Sequence, residues 1–124
     1  MSPARIAAVA LGATRILYDL SLLVAPVRVG TPWIGDLAER KAAQMTLRSI
    51  AARDLAINTG IVVSAITDAP VRPWLAAAVL GDVVDVGATF AAKGDVPEGV
   101  PAKLVGVGGG SAALSALVFA WVDE

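Results

Sequence analysis

Neither cysteine nor histidine occurs in this chain. Without cysteine there is no disulfide scaffold and no thiolate chemistry. Without histidine, a haem site, a typical zinc site and imidazole acid–base catalysis are all disfavoured. Charge is scarce too: Asp, Glu, Lys and Arg together make 17% of the residues, and the formal net charge is -1. No stretch gathers lysine and arginine into a basic patch, which speaks against a nucleic-acid partner. Polar chemistry is left to a few carboxylates and guanidiniums, Tyr18 and scattered hydroxyls. No cofactor and no metal is expected from such a set.

What the chain has in excess is apolar surface. Its hydrophobic fraction is 56% and its mean hydropathy +0.72. A soluble domain of 124 residues has a high surface-to-volume ratio and needs a largely polar exterior, which this composition does not provide. Four segments, about 4–25, 44–66, 73–92 and 104–122, have the length that crosses a bilayer at the helical rise. The expectation is an all-α, integral membrane, antiparallel four-helix bundle in one domain, 1–124, with lipid as its principal partner. A soluble alanine-rich bundle is the alternative. The last segment argues against it, because it carries no charge from Leu104 to Val122. Arg5 followed by an apolar run imitates a signal peptide, but the run continues to membrane length. A first span that also serves as the insertion signal is the better reading.

The first segment carries Arg15 and Asp19, four apart and so on one face, where they are able to pair with each other. Gly12 extends that stripe, and Pro26 closes the helix. Residues 26–43 form the longest connection. Gly30, Pro32 and Gly35 predict irregular backbone there, Trp33 an interface anchor, and Asp36 the start of a short surface helix. In the second span Arg48 lies near one end and Arg53 and Asp54 near the centre. Being adjacent, Arg53 and Asp54 stand about 100° apart and are expected to address different neighbours. Asp54 and Asn58 share a face, and Gly60 marks a place for close packing. In the third span Pro73 suits the first turn and Trp74 interface depth, while Asp82, Asp85 and Thr89 share one face. The last span holds GVGGGSAALSAL, whose Gly106, Gly109, Gly110 and Ser111 predict the tightest helix contact. Trp121, Asp123 and Glu124 mark its exit.

Lys and Arg outside the spans are unevenly divided. Arg5 and Arg72 fall on the side of the termini, and Arg28, Arg40, Lys41, Lys93 and Lys103 on the other. The positive-inside bias then places both termini outside; the expected location is a plasma membrane, that of a bacterium.

The pattern formed by Arg48, Arg53, Asp54, Gly60, Asp82 and Asp85 resembles that of a family of small bacterial and fungal integral membrane proteins of unknown function. Their second span carries Arg-x-x-Gly-x-Arg-Asp-Leu followed by a glycine. Here the stretch is RSIAARDL, Arg48 to Leu55, with Gly60 after it and Ala51 where the family has glycine. Their third span carries Asp-x-x-Asp, here Asp82 and Asp85, and Arg15 and Pro26 also fit. The resemblance covers nearly the whole chain and implies four membrane helices. It implies no reaction.

With each span centred in the bilayer, Arg15, Arg53, Asp54, Asp82 and Asp85 come to similar depth. Intramembrane charge is costly unless paired or facing a cavity, so this coincidence marks the candidate centre. Asp82, Asp85, Arg53 and Asp54 are the candidate catalytic residues. Arg15, Asp19, Tyr18, Asn58 and Thr89 are the candidate substrate-binding residues. If Asp82 and Asp85 share a pocket, one acid can donate a proton while the other orients water or substrate. The triplet Gly108, Gly109 and Gly110 is no phosphate loop, since no lysine and no strand–turn–helix context accompanies it.

Three functions compete. The sharpest is a membrane-embedded enzyme using Asp/Arg acid–base chemistry on a small apolar or amphipathic molecule, by epoxide opening, isomerisation or cyclisation. The others are a proton-coupled transporter acting as a homodimer, and a structural or accessory subunit. A cavity for an organic ligand favours the first, a two-sided dimeric cavity the second, and a solid charge-paired core the third.

Overall fold

The computed structural model describes residues 1–122 and is all-α among them. Asp123 and Glu124, the expected exit residues, lie outside the described residues. Helix α1 runs Pro3–Val24, α2 Pro26–Ile34, α3 Lys41–Ile66, α4 Arg72–Ala91 and α5 Val100–Trp121, with a 3-10 turn at Gly35–Glu39. The four long helices are α1, α3, α4 and α5, and each has the length and composition to cross a membrane. Leu17, Val24, Leu80, Val83, Leu114, Leu117 and Phe119 are exposed on them. Such an exterior suits lipid, and it answers the soluble alternative.

The long helices go up and down in turn. Asp19 meets Asn58 near mid-height, and Arg5 and Arg48 reach across opposite ends, which makes α1 and α3 antiparallel. Arg53 with Asp85 and Gly60 with Trp74 make α3 and α4 antiparallel, and Arg72 with Phe119 and Val86 with Gly108 do the same for α4 and α5. The most extensive packing is α1 on α3 and α4 on α5, and α1 touches α5 much less.

The connection after α1 differs from its expected irregular form. Pro26 needs no N–H partner at a helix start, so it ends α1 and begins α2 directly. Pro32 lies inside α2, which stops soon afterwards at Gly35, held at a φ of 63°. A glycine takes that left-handed turn without a Cβ penalty. The expected surface helix from Asp36 is a 3-10 turn instead, and α3 begins at Lys41 rather than 44.

Three arginines cap helix ends that are not their own. Arg5 donates to the carbonyls of Ser64, Ala65 and Ala69 at the end of α3, at 3.0, 3.4 and 3.2 Å, with Asp68 at 3.7 Å. Arg48 donates to Leu23 O near the end of α1 at 3.3 Å, and Arg72 to Phe119 O near the end of α5 at 3.0 Å. Each places a cation where orphan carbonyls and the helix dipole carry negative charge.

The expected glycine contact on the last span is not where these helices meet. A Cβ on Gly106, Gly109 or Gly110 would touch nothing, while one on Gly108 would lie 2.8 Å from Val86 Cγ2. Successive residues turn about 100°, so only one member of the triplet faces α4. The close approaches are elsewhere. Gly12 sits against Val62 and the Asn58 carbonyl, and Gly60 lies under the Trp74 ring. That ring takes Trp74 onto α3.

Two ends of the bundle are filled differently. At the termini end, Ala4, Ala8, Ile61, Ala65, Val71, Leu75, Ala78, Val118 and Val122 form one packed core. At the other end the buried cluster is smaller, with Leu22, Ala38, Leu47 and Ala51 under α2. Between that cluster and α4 and α5 lies a cavity.

Candidate functional site

The cavity has a volume of about 350 Å³. Its walls are Leu22, Val29, Trp33, Ile50, Ile57, Val86, Val100, Leu104 and Val107, drawn from every helix. Its floor, at mid-height, is polar: Arg15, Asp19, Asn58, Asp82 and Ser111 all line it, with Asp54 and Asp85 beside them. Thr14, Tyr18 and Val107 line the cavity and are also exposed, as is Pro32 on α2, so its opening lies along the sparsely packed α1–α5 seam and extends toward α2. Lys103, exposed, stands toward the connection end.

The expected Arg15–Asp19 pair does not form. Arg15 Nη2 turns to Asp82 Oδ2 at 3.0 Å and to the Ser111 carbonyl at 2.8 Å, with the Ser111 hydroxyl also in contact. One guanidinium therefore ties α1 to α4 and α5. Asp19 is left for α3, where Asn58 Nδ2 donates to its Oδ2 at 2.8 Å. An arginine has the reach to leave its own helix, and here the inter-helix acceptors win over the i,i+4 carboxylate.

Arg53 and Asp54 also depart from expectation. They address each other, with Arg53 Nε donating to Asp54 Oδ1 at 3.0 Å. The same guanidinium reaches Asp85 at 3.3 Å on α4. The long arginine stem folds back across the 100° separation, so adjacency does not force separate partners. Its side chain is 40% exposed on the α3–α4 seam, and Arg53 is not among the residues lining the cavity. Of the four candidate catalytic residues, Asp54, Asp82 and Asp85 reach the cavity and Arg53 backs two of them from outside.

Thr89 stands apart from the ligand space. Its hydroxyl donates to the Asp85 carbonyl at 2.7 Å and accepts from Trp33 Nε1 at 2.9 Å. Trp33 is thus no interface anchor. It folds inward from α2 to line the cavity, and its indole is tied to α4. Tyr18 takes a place at the opening, and Asn58 is committed to Asp19, with its Oδ1 buried and unpartnered. Trp33, Ser111 and Val107 are hidden from sequence reading because they stand far along the chain from the Asp and Arg residues of α1, α3 and α4 that they join, Trp33 on α2 and the other two on α5. Among the described residues no group of three potential ligands gathers to hold a metal ion.

The arrangement offers a chamber with apolar walls, a fixed cation at its floor and several carboxylates around it. Such a chamber can hold the body of an apolar molecule while charge meets its polar end. In comparisons with known proteins, the chain matches no family model, no curated protein and no solved structure.

Proposed function

We propose that the protein is a membrane-embedded enzyme that takes a small apolar or amphipathic molecule from the bilayer and acts on its polar end by acid–base chemistry. The observation that carries this reading is the cavity of about 350 Å³, apolar along its walls and charged at its floor. The opening beside Thr14, Tyr18 and Val107 suits entry from lipid rather than from water. Arg15 supplies a positive charge for a substrate oxygen, and the carboxylates supply proton transfer. In epoxide opening by water, the water oxygen bonds to carbon as the carbon–oxygen bond breaks. The water proton passes to a carboxylate, and the ring oxygen takes one from an acid. Isomerisation or cyclisation needs the same acid and base without the water.

A carrier is less well supported, because the packed core around Ala8, Ile61, Leu75 and Val118 closes the termini end. A purely accessory subunit has no use for the cavity. The test uses purified protein in liposomes with limonene oxide in 18O-labelled water, comparing wild type with Asp82→Asn and Asp85→Asn. The expected result is a labelled diol or a ring-opened isomer from wild type, and at least one folded, monodisperse variant that forms none. Collapse of both variants, together with no binding of limonene oxide, decanol or decanoic acid to wild type, would leave the charges a structural network.

A further inference from the structure

Four carboxylates line the cavity, and three of them are committed. Asp82 is held by Arg15 at 3.0 Å, Asp54 by Arg53 at 3.0 Å, and Asp85 by the same Arg53 at 3.3 Å. Protonating Asp82 strands Arg15 where an unpaired charge is costly, and protonating Asp54 or Asp85 takes one of the two partners from Arg53. Asp19 has no such partner among the described residues. It is 3% exposed, yet its one hydrogen bond is the neutral donor Asn58 Nδ2, on Oδ2. Its other oxygen accepts nothing from the protein and is not among the buried unpartnered atoms, and Asp19 lines the cavity. The charged groups that face it are Arg15 on its own helix, Asp54 on α3 and Asp82 on α4. Arg15, the only cation of these, has turned away to Asp82 and Ser111. Asp19 can therefore gain or lose a proton without breaking an ion pair.

We propose that Asp19 is the proton-transfer residue of the cavity, while Asp82 and Asp85 form the ion pairs that shape its floor. The inference rests on the acid–base reading above and names the group that performs it. Asp19 Oδ1 takes the proton from a hydroxyl or water that adds to the substrate, and returns it to an oxygen that has lost its bond to carbon. Asn58 keeps the carboxylate in one orientation, with the free oxygen toward the ligand.

The chemistry of carbodiimides tests this without knowledge of the substrate. Dicyclohexylcarbodiimide is apolar and enters from lipid. It takes the carboxyl proton on nitrogen and the carboxyl oxygen on carbon, and rearranges to a stable acylurea with no atom lost. Trypsin separates the candidates, because the peptide of residues 16–28 holds Asp19 as its only acidic side chain, while Asp54, Asp82 and Asp85 fall together in 54–93 with the exposed Asp68, which fragmentation of that peptide sets apart. The labelling is done at mildly acid pH, where a carboxyl without an ion-pair partner takes up its proton, and the expected result with intact protein in liposomes is an adduct on the first peptide and background on the second. Asp19→Asn keeps an acceptor for Asn58 and is expected to fold, with the adduct lost. Labelling confined to 54–93 overturns the assignment to Asp19 and leaves the acid–base reading standing. No adduct on either peptide overturns both, since the cavity then admits no apolar reagent to a protonated acid.

Discussion

The half of the bundle that carries the termini and the half beneath α2 are built from the same four helices, and they differ in what fills them. In the first, alanines, Gly12 and Gly60 let backbones approach until Val62 and the Trp74 ring close the gaps. Its charges, Arg5 and Arg72, sit at the rim on helix ends. In the second, the short helix α2 and the side chains beneath it line the cavity, and the charges sit inside, at mid-height. One half therefore resembles a small-residue membrane core, and the other a binding site. The ring of Arg15, Asp82, Ser111, Asp19 and Asn58 is where the two meet, so its polar groups brace the packed half and floor the open one.

That division can be broken first at the ring. Arg15→Leu removes the tie among three helices and leaves Asp82 without a cation, an effect on the order of 3–5 kcal/mol. Unfolding in mixed micelles should show it as the largest loss of any single change here. Next comes the packed half. Gly60→Leu forces a side chain into the Trp74 ring, and destabilisation of about 1–3 kcal/mol is expected by the same measurement. A smaller effect belongs to the tie between α2 and α4. Trp33→Phe deletes the bond to Thr89, which is worth roughly 0.5–1.5 kcal/mol, and should appear locally as faster amide exchange in α2. Smallest are changes where nothing is touched. Gly109→Leu should stay within about 0.5 kcal/mol of wild type, in contrast to Gly60→Leu, and equal losses at both sites would erase the distinction between the halves.

Much of this architecture is legible in the sequence, and particular residues show where legibility stops. Span length and uniform apolarity are local properties, so four helices and their up-and-down order follow from the composition of each segment. The depth of Arg15, Asp82 and Asp85 follows from their positions within those spans. Partner choice does not. Arg15 has a carboxylate four residues away and ignores it, because acceptors on α4 and α5 come within reach only once the helices pack. Arg53 and Asp54 are neighbours that helical phase separates and a flexible stem reunites. The three glycines at 108–110 look equivalent in sequence, yet helical phase gives only Gly108 a neighbour. Pro32 and the two flanking glycines read as a break, whereas α2 forms because Pro26 starts it and Leu47, Leu22 and Ala38 give it a surface to cover. The cavity itself has no sequence signal at all, being the space left among residues of five helices.

The central claim is that this space receives an apolar molecule from the bilayer, and Trp33, which lines it, can report the event directly. With Trp74→Phe and Trp121→Phe in place, Trp33 is the one remaining tryptophan, since the chain has three. Its emission would be followed in liposomes as a brominated ten-carbon alcohol is added, with and without Val107→Phe to narrow the opening. The account predicts saturable quenching by the alcohol, lost in the Val107→Phe protein while that protein stays folded. Quenching that rises in simple proportion to bromine in the bilayer, and is the same in both proteins, would contradict it.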